Sequence, residues 1–315
     1  MDNKKMLNVV SLFAGIGGIC QGLKNAGMNI IWANEIDKMA CLTYTANHPN
    51  ISLINDDINN IKTTNIPNCD VLTAGFPCQA FSIAGYRKGF DDERGNLFFS
   101  ILRILQEKTQ KPSVIFLENV KNLLTHDNGK TFKIICSELN KLGYLLHFKI
   151  LNSCDYGDVP QNRERIFIIG FLGISAYNNF KFPEIINLTK SIKDIKEDAI
   201  KDKYYYTEKS KYYLELKKNI INQNSIYQIR RVYVRENKSN LCPTLTANMG
   251  TGGHNVPLIL DDKGIRKLTP KECFNLQGFP SDFILPEISD CHLYKQAGNS
   301  VTVSVIERIA KNITI

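Results

Sequence analysis

Through residue 170 the chain alternates two hydrophobic patterns. Short, largely apolar runs mark strands, and they fall at 8–13, 30–34, 51–54, 70–74, 114–117, 144–151 and 165–170. Between them, apolar positions recur every three or four residues, as amphipathic helices require. These stretches run from the first glycine cluster to about residue 26, then over 37–47, 97–107 and 131–142. Gly27 and Gly143 stand where helices stop. Strands alternating with helices predict an α/β fold built on a doubly wound sheet.

The pattern weakens after about Lys181. From 186 to 260 there are 13 Lys/Arg against 7 Asp/Glu, with many Tyr and Asn. A second, smaller, mainly β or irregular domain is therefore expected over 186–290, after a first domain over 1–185. A segment over 291–315 is expected to return to the first domain, through a loop at 296–300 and an apolar-faced helix at 301–312. At 315 residues the chain can bury a large core, and 43% hydrophobic with 22% charged residues is ordinary for a globular protein. No apolar run reaches the length of a membrane span, and the first residues lack a signal-peptide core. The nine cysteines contain no Cys-x-x-Cys pair and no Cys/His ligand spacing. That argues against disulfides and zinc, so no metal is expected and a reducing cytoplasm fits. The formal charge of +8 permits a polyanionic partner without requiring one.

Two residues suggest chemistry. Cys78 follows the strand at 70–74, in a turn stiffened by Pro77 and flanked by small residues. Glu118 closes the strand-like run at 114–120. In open α/β sheets ligands bind at the carboxyl ends of strands, so a nucleophile and an acid on two such ends form a candidate catalytic pair. Most buried cysteines are structural, however. The run Phe13-Ala14-Gly15-Ile16-Gly17-Gly18 fails the dinucleotide spacing, because Cys20 stands where the third glycine belongs. Glu35, 17 residues after Gly18, ends the second strand and Asp57 follows the third. A glycine loop and two carboxylates on three successive strand ends describe an adenosine pocket without a phosphate cradle, as S-adenosylmethionine needs. On these residues alone, glycines serving a tight turn and carboxylates capping helices explain the pattern equally well.

With Cys78 and Glu118 added, the chain resembles the bacterial DNA (cytosine-5)-methyltransferases of restriction–modification systems, of the HhaI type. Six short strings in family order carry the likeness over nearly the whole length. They are the glycine loop, Gly75-Phe76-Pro77-Cys78-Gln79, Arg94-Gly95-Asn96-Leu97-Phe98, Glu118-Asn119-Val120, Gln161-Asn162-Arg163-Glu164-Arg165 and Gly298-Asn299-Ser300-Val301. The resemblance implies a Rossmann-like methyltransferase domain that binds S-adenosylmethionine and leaves S-adenosylhomocysteine, with a smaller target-recognition domain. Its cofactor contacts fall on Phe13, Ala14, Gly15, Gly17, Gly18, Glu35, Ile36, Asp57, Ile58, Pro77, Leu97, Asn299 and Ser300. Its catalytic group falls on Cys78, Glu118, Arg163 and Arg165. Two positions depart from the pattern: Asp56-Asp57-Ile58 replaces the common Gly-Asp-Ile, and Ala84 replaces a serine that enters DNA in a relative.

The same resemblance implies that Cys78 adds to carbon 6 of a cytosine flipped out of duplex DNA, with 79–96 as a mobile loop closing over it. DNA contacts are then expected from Gln79, Ser82, Arg87 and Lys88 of that loop. Others are expected from Gln228, Arg230, Arg231, Tyr233, Thr244, Gly252 and Gly253 of the basic region, although solvated faces explain charged residues as well. The implied partner is duplex DNA carrying a short palindromic site of about four to five base pairs, bound by a monomer in the bacterial cytosol. A restriction endonuclease acts alongside without a stable complex. A cytosine-5 methyltransferase acting on transfer RNA shares the Cys78 and Glu118 motifs, but the basic recognition region favours duplex DNA. A regulatory DNA-binding module leaves the catalytic motifs unexplained, and a nicotinamide oxidoreductase fails on the glycine spacing.

Overall fold

Val9, Val10 and Leu12, then Val71, Leu72 and Ala74, then Val114 to Leu117, are removed from solvent almost completely. Such runs can sit only in the interior of a sheet covered on both faces. The computed structural model describes residues 6–76, 97–230, 233–237, 239–251 and 255–315, with the side chain of Arg230 left aside. Its strands, in chain order, are β1 (Asn8–Leu12), β2 (Asn29–Asn34), β3 (Ser52–Ile54), β4 (Val71–Gly75), β5 (Val114–Val120), β6 (Leu145–Asn152), β7 (Gln161–Asn162), β8 (Glu164–Phe171), β9 (Ile226–Arg230), β10 (Tyr233–Asn237), β11 (Cys242–Pro243), β12 (Leu258–Leu260) and β13 (Ile265–Lys267).

Backbone packing divides the chain into two units. The first comprises Met1–Leu151, Glu164–Pro183 and Ile306–Ile315, and the second Asn152–Arg163 and Glu184–Val305. The first unit holds a seven-stranded sheet in the order β3-β2-β1-β4-β5-β8-β6. Strands β1 to β5 pair in parallel, and β8 runs antiparallel to β5. The order reverses between β1 and β4, the switch point beside which α/β sheets bind ligands. Helix Leu97–Glu107 buries Phe98, Ile101, Leu102, Ile104 and Leu105, a 3.6-residue stripe that packs into the main core with Leu72, Ile115 and Leu117. Helix Lys38–Asn47 starts at Asp37, whose carboxylate accepts from the N–H groups of Met39 and Ala40.

The second unit carries a four-stranded antiparallel sheet, β10-β9-β12-β13, over a small core of Leu216, Ile220, Tyr227, Leu258 and Ile265. Beside it lies a buried ionic cluster. Arg266 is 1% exposed, and it donates to both oxygens of Glu272 at 2.7 and 2.8 Å and to Asp261 Oδ2 at 2.6 Å. Glu272 also accepts from the Thr269 N–H and so closes the capping box of helix Pro270–Leu276.

The division differs from the expected one in two places. Residues 152–163 join the second unit because β7 pairs with β11, and the Cys242 N–H donates to the Pro160 carbonyl. The returning segment starts at Ile306, not at residue 291. The expected loop at 296–300 is the end of helix Asp290–Asn299, with Ser300 as its C-cap. That helix is held to the second unit by contact too close for side chains. A Cβ on Gly298 would lie 2.1 Å from the Thr246 carbonyl carbon, and one on Gly250 would lie 2.4 Å from the Cys291 carbonyl oxygen.

Removing one member of a buried ion pair strands the other charge, at a cost of about 3–5 kcal/mol. Glu272→Ala is therefore expected to lower unfolding stability by roughly that amount, measured by equilibrium denaturation in urea. A loss under about 1 kcal/mol would show that Asp261 alone satisfies Arg266.

Candidate active site

Beyond Leu12 the chain leaves the sheet through three left-handed residues, Phe13 (φ 52°), Gly15 (φ 58°) and Gly17 (φ 88°). Glycine adopts this conformation freely, whereas an aromatic residue does so only where its surroundings hold it there. Here the Ala14 N–H donates to the Asn34 carbonyl at 2.8 Å, and the Gly17 N–H to the Ala14 carbonyl at 2.9 Å. The Gly15 N–H donates to Glu35 Oε2 at 2.8 Å, while Glu35 Oε1 accepts from the Asp37 N–H at 2.8 Å. One carboxylate at the end of β2 thus ties the glycine loop to the start of the next helix. Beside it Ile36 is 62% exposed, an apolar side chain left uncovered next to an acid. Phe13 and Leu97 are half-buried and pack on the main core. Asp57 accepts from the Asn59 N–H at 2.9 Å and caps the turn Ile58–Asn60. The Ile58 side chain lies in the core, so any ligand contact it makes runs through its backbone.

Gly17 caps helix Gly18–Asn25 from below with its own carbonyl, which accepts from the Gln21 N–H at 2.7 Å. It can carry no side chain, since a Cβ there would meet His48 Nε2 at 2.4 Å and Cδ2 at 2.6 Å. His48 is 3% exposed and its ring packs on Tyr44 at 4.7 Å between centroids. Neither ring nitrogen has a hydrogen-bond partner of ordinary geometry among the described residues. Burial, helped by the charge of Lys24, pushes its pKa down to about 4, with only the Gly17 backbone pulling the other way.

The second cluster forms where β4 and β5 end together. Gly75 faces Glu118 across the two strands. β5 runs on to Val120, so Glu118 is inside the strand, and β8 brings Arg165 opposite Val120. Arg165 Nε lies 3.2 Å from Glu118 Oε1, and Arg165 Nη1 donates to its neighbour's carbonyl, that of Glu164, at 2.8 Å. Burial disfavours the charge of Arg165, and Glu118 opposes that effect. Asn119 donates from Nδ2 to the Phe76 carbonyl at 2.8 Å, inside the protein, and Phe76 packs on Phe98. The last described residue before position 77 is therefore anchored on both backbone and side chain.

Cys78 itself lies outside the described residues, as do Pro77, Gln79, Ser82, Ala84, Arg87, Lys88, Arg94 and the whole expected loop over 79–96. So do Arg231, Gly252, Gly253 and the Arg230 side chain.

Arg163, expected in the catalytic group, sits apart from Arg165. It belongs to the second unit, is 2% exposed, and donates to the carbonyls of Leu245 (2.8 Å), Gly298 (3.1 Å) and Ser300. Strand alternation explains why the two motif arginines part: side chains two apart share a face only within one strand, and the chain changes sheets between Asn162 and Glu164. Asn299 and Ser300 share the second unit with it. The Ser300 hydroxyl is buried without a partner among the described residues. Gln228 is half-buried on β9, opposite Arg235, and Tyr233 is 54% exposed on β10, opposite Arg230. The Thr244 hydroxyl donates to the Asn162 carbonyl at 2.7 Å, so it braces β7 against β11. Sequence inspection missed Asn119 and His48 as supports. Asn119 was legible as the neighbour of Glu118, whereas nothing in the sequence pairs His48 with Gly17.

The fold is that of solved methyltransferases. DNMT2 from Spodoptera frugiperda superposes with a TM-score of 0.74 at 22% identity, covering 97% of this chain and 98% of that one. A putative DNA modification methyltransferase encoded within an E. coli prophage superposes at 0.68, with 24% identity over 97% of this chain and 98% of that one. The family model for C-5 cytosine-specific DNA methylase matches residues 7–314. The type II methyltransferase M.Bsp6I of Bacillus sp. (strain RFL6) is 58% identical over 98% of both chains. M.HhaI of Haemophilus parahaemolyticus is 38% identical, over 98% of this chain and 94% of its own. The chain belongs to the C-5 cytosine-specific DNA methylase family and is an enzyme of that class, a DNA (cytosine-5)-methyltransferase.

Two outcomes follow from the packing. Removing the donor from a buried carbonyl costs about 1–3 kcal/mol, so Asn119→Ala should destabilise by that order and lower kcat more than it raises KM for DNA. An unchanged kcat would show that the Phe76 carbonyl is held well enough without it. The folded-state pKa of His48 lies below its ordinary value near 6.5, so the unfolded chain binds the extra proton. Its contribution is intact above about pH 6.5 and is lost as pH falls toward 4. Replacing it with phenylalanine should flatten the fall of unfolding free energy between pH 7 and 5, measured by urea denaturation at each pH.

Proposed function

We propose that this enzyme methylates carbon 5 of a flipped cytosine within a short specific site in duplex DNA, using S-adenosylmethionine and a covalent bond from Cys78. The observation that carries the reading is the common edge of the first unit. Glu118, the anchored Phe76 carbonyl and the Glu35-clamped glycine loop lie at or just beyond the carboxyl ends of adjacent parallel strands, and Arg165 reaches the same edge from the amino end of antiparallel β8.

The described residues fit the methyl donor. The glycine loop gives a nucleoside close backbone approach, and Glu35 retains lone pairs for ribose hydroxyls beyond its two backbone bonds. Exposed Ile36 offers an apolar face to a base, Asp57 an acceptor to an adenine amino group, and half-buried Phe13 and Leu97 apolar walls. The Ser300 hydroxyl, in the second unit, has no partner among the described residues and is available to a polar ligand. When bound, the donor supplies a methyl group on a positively charged sulfur.

The 5-carbon of cytosine is a weak nucleophile. A Cys78 thiolate adding to carbon 6 turns the ring into an enamine, and elimination of the carbon-5 proton after transfer frees the enzyme. Glu118 hydrogen-bonds ring nitrogen 3 and the exocyclic amine, which favours the enamine and discriminates against thymine. Arg165, already ion-paired to Glu118, orients that carboxylate and reaches for the base oxygen. Free cysteine titrates near about 8.5, so a nearby cation must help form the thiolate. Arg163 is a positioning residue, holding the turn before Asn299 and Ser300 through three carbonyls.

Stacked bases cannot reach such a site, so the cytosine must leave the helix at a cost of a few kcal/mol. The closing loop after Cys78 and the basic second unit would hold the opened duplex. Gln228 and Tyr233 would make groove contacts, and lysines and arginines phosphate contacts. The type II names of the relatives support a role in protecting host DNA from a partner endonuclease. No helix among the described residues is long and apolar enough to cross a membrane. We place the enzyme in the bacterial cytosol, acting as a monomer.

Purified protein with labelled S-adenosylmethionine and duplex DNA should transfer methyl groups, Cys78→Ala should abolish transfer, and Glu118→Gln should lower kcat by about 10²–10⁴-fold. A duplex with 5-fluorocytosine at the target should trap a covalent complex. Transfer undiminished in Cys78→Ala, or no trapped species with an active enzyme, would overturn the covalent mechanism. Bisulfite sequencing of plasmid from expressing cells identifies the site.

A further inference from the structure

His48 is buried without the hydrogen bonds that burial demands. Leaving a polar atom in this state costs about 1–3 kcal/mol, and phenylalanine would fill the same space against Tyr44 with none of that cost. Both ring nitrogens of His48 lack partners among the described residues, yet Nε2 is the atom that stands nearest the missing side chain of Gly17. The groups that face the ring are Tyr44 from its own helix, the Gly17 backbone from the loop, and the more distant charge of Lys24 from the following helix. Among these, the Gly17 carbonyl can accept a second hydrogen bond besides the one from Gln21. The Gly17 backbone already acts on the ring as a weak hydrogen bond would, but neither ring nitrogen has a partner of ordinary geometry among the described residues.

We infer that His48 is a positioning residue for the cofactor loop. When the adenosyl ligand seats on Ala14 to Gly18, the loop settles against the neutral imidazole and the ring N–H closes its hydrogen bond to Gly17. Until that happens the donor stays unsatisfied, and part of the binding free energy comes from satisfying it. His48 touches neither ligand nor DNA. Its effect passes through Gly17, whose lack of a side chain is what lets the ring approach. The inference rests on the adenosyl-binding reading of the loop.

The test is equilibrium binding of S-adenosylhomocysteine by calorimetry at pH 7.5, with thermal melting of each free variant. His48→Phe should melt at or above the wild type and bind about tenfold more weakly. His48→Gln, which restores a donor at the place of Nε2, should recover part of that loss. Histidine-labelled wild type provides a measurement that needs no variant: ¹⁵N shifts of the His48 ring should move toward those of a hydrogen-bonded N–H on adding the ligand. Equal affinity in wild type and His48→Phe, or ring shifts that do not move while ligand binds, would overturn the inference and leave His48 as packing alone. A wild type that binds no S-adenosylhomocysteine would instead overturn the cofactor reading itself.

Discussion

Parallel pairing of β1 to β5 is the constraint on which the first unit depends. Parallel strands must all be entered from one end and left from the other, so every residue just past a strand emerges at the same edge. Phe13, Glu35, Asn55 to Asp57, Phe76 and the end of β5 are brought there by register alone, although they span more than a hundred positions of sequence. The sheet has no freedom to slide one strand by a single residue. A one-residue slip would exchange the two faces of β5 and take Glu118 away from Arg165 and Asn119 away from the Phe76 carbonyl.

At that edge, most polar side chains first serve the backbone. Glu35 receives two N–H groups, Asn119 holds a carbonyl, and Asp57 caps a turn. The same economy holds in the second unit, where Arg163 gathers three carbonyls and Glu272 serves as both helix cap and counter-ion to Arg266. Irregular loops beside a ligand cleft carry backbone groups with no ladder to join, and buried ones must be satisfied. Acid and amide side chains supply those bonds. The residues that would meet a substrate are therefore the same residues that give the loops their shape.

The alternating pattern of the first 170 residues was enough to read the seven large-sheet strands, most plainly β1, β4 and β5, which are buried almost throughout, whereas the edge strands β3 and β6 are largely exposed. Helix ends were legible where a residue type has a local reason to be there, as with Asp37 and Gly27. The same reasoning failed at 296–300. Gln-Ala-Gly-Asn-Ser looks like a loop by propensity, but it completes a helix because Gly298 permits backbone-to-backbone contact with Thr246. Nor does such reasoning say where Arg163 lies, since two arginines in one short motif give no sign that the chain changes sheets between them.

By itself the sequence determined the α/β class, the order of the motifs and the residue types that cytosine-5 chemistry demands. The class follows from local periodicity, and the motifs and residue types from the resemblance of short strings to a known family, signals that each stretch of chain carries within itself. Only the tertiary structure decided which of those residues meet. It set Arg165 against Glu118 and Asn119 against the Phe76 carbonyl, and it gave Arg163 to the carbonyls of the second unit. It also placed His48, unremarkable in sequence, under a glycine that has room for nothing else. The physical reason is that contact between distant residues depends on register and close packing, and neither is written in the pattern of any one segment.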